Sequence, residues 1–247
     1  MIHKIRKEKV YESNHGWLHS RFLFSFAEYF DEGNMSWGAL RVFNDDTLLG
    51  ESGFPSHSHK EMEIVTIINK GTLTHDDSMG NKREISQGCV QRMSAGTGVT
   101  HSELNHGKET VELYQLWFFP NKKELTPEYE EKKFEKKNGV TLLVSESGKE
   151  ESVTIHANVS IYNGLIEKGE EMEIPLENDD MALVYIKEGK VFVGEELYGA
   201  RDQARIENEK SVSLRGESKV EFLVVVSRGE EQSLILSYTN DACEFKF

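Results

Sequence analysis

Short runs of Val, Ile, Leu, Thr and aromatic residues recur along the chain between clusters of Gly, Asn, Asp and Ser, while apolar positions with a helical period are scarce. The pattern predicts strands over 37–43, 62–69, 71–75, 89–93, 99–104 and 113–119, then over 140–144, 153–162, 181–187, 190–193, 211–214 and 220–227. This is an all-β chain. The stretch 121–137 (NKKELTPEYEEKKFEKK) is dominated by charge and reads as a solvated connector with a helical turn or two. Six residues, Met181 to Ile186, make the longest apolar run, too short for a membrane span.

The two sets of strands share a motif. Ile64 to Thr74 and Ala182 to Val193 both run as an apolar strand, two polar residues, a glycine (Gly71 or Gly189) and a second strand. Each reads as a tight hairpin in which glycine supplies a positive φ. Two copies of an all-β unit imply two stacked barrels, with units 1–132 and 133–247.

Composition narrows the function. Lys plus Arg number 29 and Asp plus Glu 43, a net charge of −14, which disfavours nucleic acid and anionic membrane surfaces. The first residues are charged and lack the apolar core of a secretory signal. Cys89 and Cys243 form no CxxC pair, so a disulfide framework and a thiolate metal site are not expected, and a reducing cytoplasmic setting fits.

The chemistry concentrates between 57 and 106, which holds five of the nine histidines. His57 with His59, and His101 with Glu103, are i, i+2 pairs, and alternate strand residues project from one face about 6.6 Å apart. Two such strands facing each other offer three imidazoles and a carboxylate, donors suited to one divalent ion: Fe(II), Mn, Co, Ni, Cu or Zn. Continuing from His59 in odd steps meets Glu61, Glu63, Val65 and Ile67, an expected interior face. Glu63 and Glu103 are both eligible carboxylates, as ligand or as proton acceptor from a substrate hydroxyl. Gly96-Thr-Gly98 reads as a sharp bend delivering His101 rather than a phosphate loop, since no Gly-Lys-Ser/Thr follows. His15, His19, His75, His106 and His156 read as structural, hydrogen-bonded or exposed, Cys89 as a core thiol, and Trp17, Trp37 and Trp117 as packing residues.

Phe54-Pro-Ser-His57-Ser-His59-Lys-Glu-Met-Glu63-Ile-Val-Thr, Gly71-Thr-Leu-Thr-His75-Asp-Asp-Ser-Met-Gly80-Asn81 and Gln91-Arg-Met-Ser-Ala-Gly96-Thr-Gly98-Val-Thr-His101-Ser-Glu103 together resemble the signature of the pirins, bicupins of the cupin superfamily. The likeness is densest from 14 to 120 and strongest to bacterial pirin-like quercetin 2,3-dioxygenases. It implies two double-stranded β-helix barrels and a metal, Fe(II) foremost, held by His57, His59, His101 and Glu103. Glu63 is then left to orient an imidazole. The resemblance further implies a dioxygenase using dioxygen on quercetin-like phenolics, or alternatively a metal-bearing regulator acting through a protein partner, with self-association open. In the second half, the positions 14, 12 and 8 residues before Gly189 are Pro175, Glu177 and Met181, so no matching centre is expected there.

Overall fold

The computed structural model describes residues 1–228; Cys243 lies outside the described residues. The described residues form four antiparallel-dominated sheets with no α-helix. In the first half, a seven-stranded sheet runs in the order Glu128–Lys133, Cys89–Ser94, Glu63–Lys70, Val111–Phe118, Leu40–Leu48, Leu18–Phe22, Tyr11–Asn14. Facing it is a four-stranded sheet of Ser52–His59, Val99–Asn105, Thr72–Asp77 and Lys82–Ser86. The second half repeats the plan with a seven-stranded sheet centred on Met181–Glu188 and Val220–Ser227 and a four-stranded sheet centred on Ser211–Gly216 and Lys190–Val193. The chain is a bicupin.

The two seven-stranded sheets pack back to back. Phe43, Val65, Ile67, Tyr114 and Leu116 from one meet Leu143, Ile161, Leu183, Tyr185 and Leu223 from the other in one buried cluster. These sheets are therefore covered on both faces, which is why Val220–Ser227 is buried at every position and why period-2 alternation fades there. The crossing is not purely apolar: Trp37 Nε1 donates to the Ala182 carbonyl at 3.0 Å, and the Tyr185 hydroxyl to Asp45 at 2.7 Å.

Three expectations need correction. The segments around Gly71 and Gly189 are not hairpins, because the strands flanking each glycine belong to different sheets. Each glycine turns a corner from the seven-stranded to the four-stranded sheet, at φ +81° and +82°, and a Cβ there would lie 2.9 Å from Thr110 O or 2.1 Å from Lys219 O. The charged connector carries no helical turn: Glu128–Lys133 is an edge strand paired with Cys89–Ser94, its alternating charges suited to an unpaired sheet edge. The run 153–162 is broken into Val153–Thr154 and Val159–Ile166. The first strand, Ile2–Ile5, crosses over to pair with Gln203–Glu207 of the second unit.

Candidate metal centre

Val99–Asn105 is the central strand of the site. His101 stands opposite His57 on one side and Asp77 on the other, and Glu103 stands opposite His75. The pairing with Ser52–His59 shifts register between His101 and Glu103, a bulge at Pro55-Ser56, where proline has no N–H to contribute to the ladder. The bend 95–98 brings the chain from the seven-stranded sheet into this strand, as its two glycines predict.

Potential ligand atoms of His57, His59 and His101 lie within 4.8 Å of one another, and those of His75, His101 and Glu103 form a second such group. The rings of His57 and His101 are 4.5 Å apart, and those of His59 and His101 5.0 Å. His57 Nδ1 lies 2.7 Å from the Pro55 carbonyl, which accepts its N–H and leaves Nε2 with the free lone pair. Burial, with the neighbouring His101 and His57, holds His59 far below the ordinary imidazole range, and burial beside His57 and His75 holds His101 at about 3. His59 and His101 are thus held in the neutral form, the one in which imidazole binds metal.

Glu103, fully buried, accepts from Gln91 Nε2 (2.9 Å), Gln115 Nε2 (2.8 Å) and Thr66 Oγ1 (3.2 Å). Gln115 is itself fixed by Trp117 Nε1, 3.2 Å from its Oε1. Both ring nitrogens of His101 are buried without a partner. An orphaned polar pair of this kind is costly in an apolar interior, and a cation accepting a nitrogen lone pair relieves it. The donor set of imidazoles and a carboxylate fits a borderline divalent transition metal.

Glu63 is elsewhere. Glu61, at φ +52°, turns the chain between Ser52–His59 and Glu63–Lys70, so alternation does not carry across it. Glu63, Val65 and Ile67 face the second unit, while Thr66 on the opposite face reaches Glu103. The expected interior face from His57 through Ile67 and the role of Glu63 beside an imidazole are both overturned. Burial, opposed by its hydrogen bonds to His156 N and Ser94, raises the Glu63 carboxyl above its usual value.

A cavity of about 670 Å³ opens in front of His57 and His59, within the roughly 300–1,000 Å³ usual for small-molecule sites. Asn44, Asp46 and Gln115 bring polar atoms to it, and Phe26 and Trp117 form an aromatic wall with ring centroids 5.3 Å apart. Trp117, expected only to pack, also stands 4.8 Å from the His59 ring. Trp17 lines the cavity, whereas Trp37 packs between the units. His15 reaches the cavity rim; His19 pairs with Glu12 and His156 with Glu128 on the surface. Cys89 is a half-buried free thiol.

Sequence reasoning missed Asp46, and it left His75 as hydrogen-bonded or exposed. His75 is hydrogen-bonded, to Asp77, and fully buried. The spacing of His75 and Asp77, the same i, i+2 as His57 and His59, was the available signal.

A buried imidazole and carboxylate cluster inside the first of two back-to-back β-barrels defines a metal-site bicupin. The chain belongs to the pirin family. The Pirin family model matches residues 4–118, and a model described as the quercetinase C-terminal cupin domain matches 142–225. The chain is 36% identical over 225 residues to a quercetin 2,3-dioxygenase from Escherichia coli K12, spanning 91% of this chain and 97% of that protein. It is 37% identical to a putative quercetin 2,3-dioxygenase from Zymomonas mobilis, over 87% of this chain and 93% of that one. The crystal structure of the bacterial pirin YhhW from Escherichia coli in complex with nickel(II) superposes with a TM-score of 0.90 at 34% identity, covering 93% of this chain and all of that one.

Proposed function

We propose that the chain is a metal-dependent dioxygenase that opens the ring of quercetin-like flavonols or related phenolics, with His57, His59, His101 and Glu103 holding the ion. The observation that carries this reading is the convergence of three imidazoles, two of which line a cavity with an aromatic wall. Relatives named quercetin 2,3-dioxygenase support it. A divalent ion held by these residues would supply Lewis acidity toward a phenolic oxygen. The protein's own residues do the rest. Phe26 and Trp117 receive a flat ring system, Asn44 and Gln115 orient hydroxyls, and Asp46, the carboxyl at the cavity surface in place of Glu63, receives the proton of a substrate hydroxyl. We place the division between the metal-bearing unit and its support at 132/133, in the last step of the strand Glu128–Lys133.

The test is oxygen uptake with quercetin after anaerobic loading with Fe(II), comparing the native chain with His101→Ala. Turnover by the native chain that disappears in the variant is expected. Turnover that survives the substitution removes catalysis from this centre.

A further inference from the structure

The two groups of donors that meet at His101 differ in what they face. His57 and His59 line the cavity, whereas His75, His101 and Glu103 are all buried and none of them is among the residues lining it. His75 has the form of a ligand rather than of a filler. Its Nε2 lies 2.9 Å from Asp77 Oδ2, and Asp77 is itself held by the backbone nitrogens of Met79 (2.9 Å) and Asn81 (3.0 Å) and by Asn81 Nδ2 (2.9 Å). The turn after Thr72–Asp77 is thus built around a carboxylate that accepts the Nε2–H of His75. What remains is Nδ1, a buried lone pair without a partner. Ligating histidines characteristically give their second N–H to a carboxylate in this way.

The back of this group is closed. The Tyr129 ring lies over His75 with centroids 4.8 Å apart, its hydroxyl donates to Glu131 Oε2 at 2.6 Å and lies 3.1 Å from Gln91 Oε1, and Gln91 Nε2 donates to Glu103. Tyr129 comes from the edge strand that the charged connector forms, so that strand walls in the donors from behind. His101, with both ring nitrogens orphaned, stands between the two groups.

The geometry points to a second, inner position for a divalent metal, made by His75, His101 and Glu103, none of which lines the substrate cavity. It rests on the reading of this barrel as a metal centre. The two positions share His101 and a single carboxylate, too little negative charge to hold two dications so close together, so one ion occupies them in alternation. Two imidazoles and a carboxylate suit the same first-row ions at either position. At the inner one none of the donors lines the cavity, which makes it a resting position behind the histidines that present the ion to substrate.

The experiment uses Co(II) alone, followed by its visible absorption and by equilibrium dialysis. His57 is half-exposed at the cavity, so His57→Gln removes one donor from the outer group without opening the core. The native chain and His57→Gln are each expected to bind one Co(II), and His57→Gln/His75→Gln to bind it at least a hundredfold more weakly. His75→Gln alone keeps one Co(II) at the outer group. Loss of all Co(II) from His57→Gln, or equal affinity in His57→Gln and the double variant, overturns the inner position. Failure of the native chain to bind Co(II) instead overturns the metal centre itself. Should the double variant not fold, the imidazole nitrogen resonances of the His57→Gln chain decide: a Zn(II)-induced shift of His75 Nδ1 is expected, and an unmoved resonance overturns the assignment.

Discussion

Glu63 Oε2 accepts the backbone N–H of His156 at 3.1 Å, a carboxylate of the first unit bonded to the main chain of the second. Ser94 Oγ donates to the same oxygen at 2.9 Å, and Oε1 has no partner. The residue is a staple between units. Glu63→Gln keeps an acceptor for both donors and is expected to shift stability by less than ~1 kcal/mol, whereas Glu63→Ala leaves two buried donors unmet and costs about 1–3 kcal/mol. Urea denaturation measures both, and neither change alters metal content.

Glu103 behaves differently, because both of its oxygens face donors. An amide in its place must turn its own NH₂ toward Gln91 or Gln115, which already present N–H groups. Glu103→Gln is expected to lower metal affinity by more than ~10-fold, the low end of what disturbing a partner of a metal ligand costs. Metal content after dialysis against a chelator reads this. Equal loading of Glu103→Gln and Glu63→Gln would take Glu103 out of the ligand set.

The contrast shows what the sequence could and could not carry. His57, His59 and His101 are legible because i, i+2 spacing within a strand fixes the face on which side chains project. Glu63 is not, since Glu61 in a left-handed conformation resets the alternation between two strands of different sheets. The same limit turns the expected hairpins at Gly71 and Gly189 into corners: glycine announces the positive φ, but the partner of each strand is set by distant pairings. Tyr129 was hidden as one aromatic among many charges, its burial fixed by pairing with Cys89–Ser94. The strand Ile2–Ile5 had no local sign of its partner some 200 residues away, at Gln203–Glu207.

Within the second unit, Lys187 Nζ bonds Glu221 Oε1 at 2.7 Å, and Lys136 Nζ bonds Oε2 at 2.7 Å. Burial lowers the Lys187 ammonium below its usual value, against the pull of Glu221. Lys187→Met leaves a carboxylate that is only 6% exposed with Lys136 as its one partner, a mostly exposed lysine. A loss of about 3 kcal/mol is expected in chemical denaturation, and Lys187→Met/Glu221→Leu recovers most of it, because a buried pair is hard to break one side at a time but replaceable as a whole. A single variant as stable as the native chain would mean that Glu221 is solvated.

Asp46 links stability to pH. Burial, then the nearby charges of Asp45 and Glu103, push its carboxyl from 3.8 up to about 7, against the hydrogen bond from Ser20. A carboxyl raised in the folded state favours the protonated form there. Its contribution is therefore complete below the unfolded value and is lost as pH rises through about 7. Asp46→Asn removes the titration while keeping an oxygen for Ser20. In the metal-free chain, the stability of the native protein relative to Asp46→Asn is expected to fall by about 2–3 kcal/mol between pH 5 and 8. Melting curves at each pH supply the difference. A flat difference would mean that Asp46 is already ionised at pH 5, and that the cavity carries a fixed charge instead of a carboxyl able to exchange a proton with a phenolic hydroxyl near neutrality.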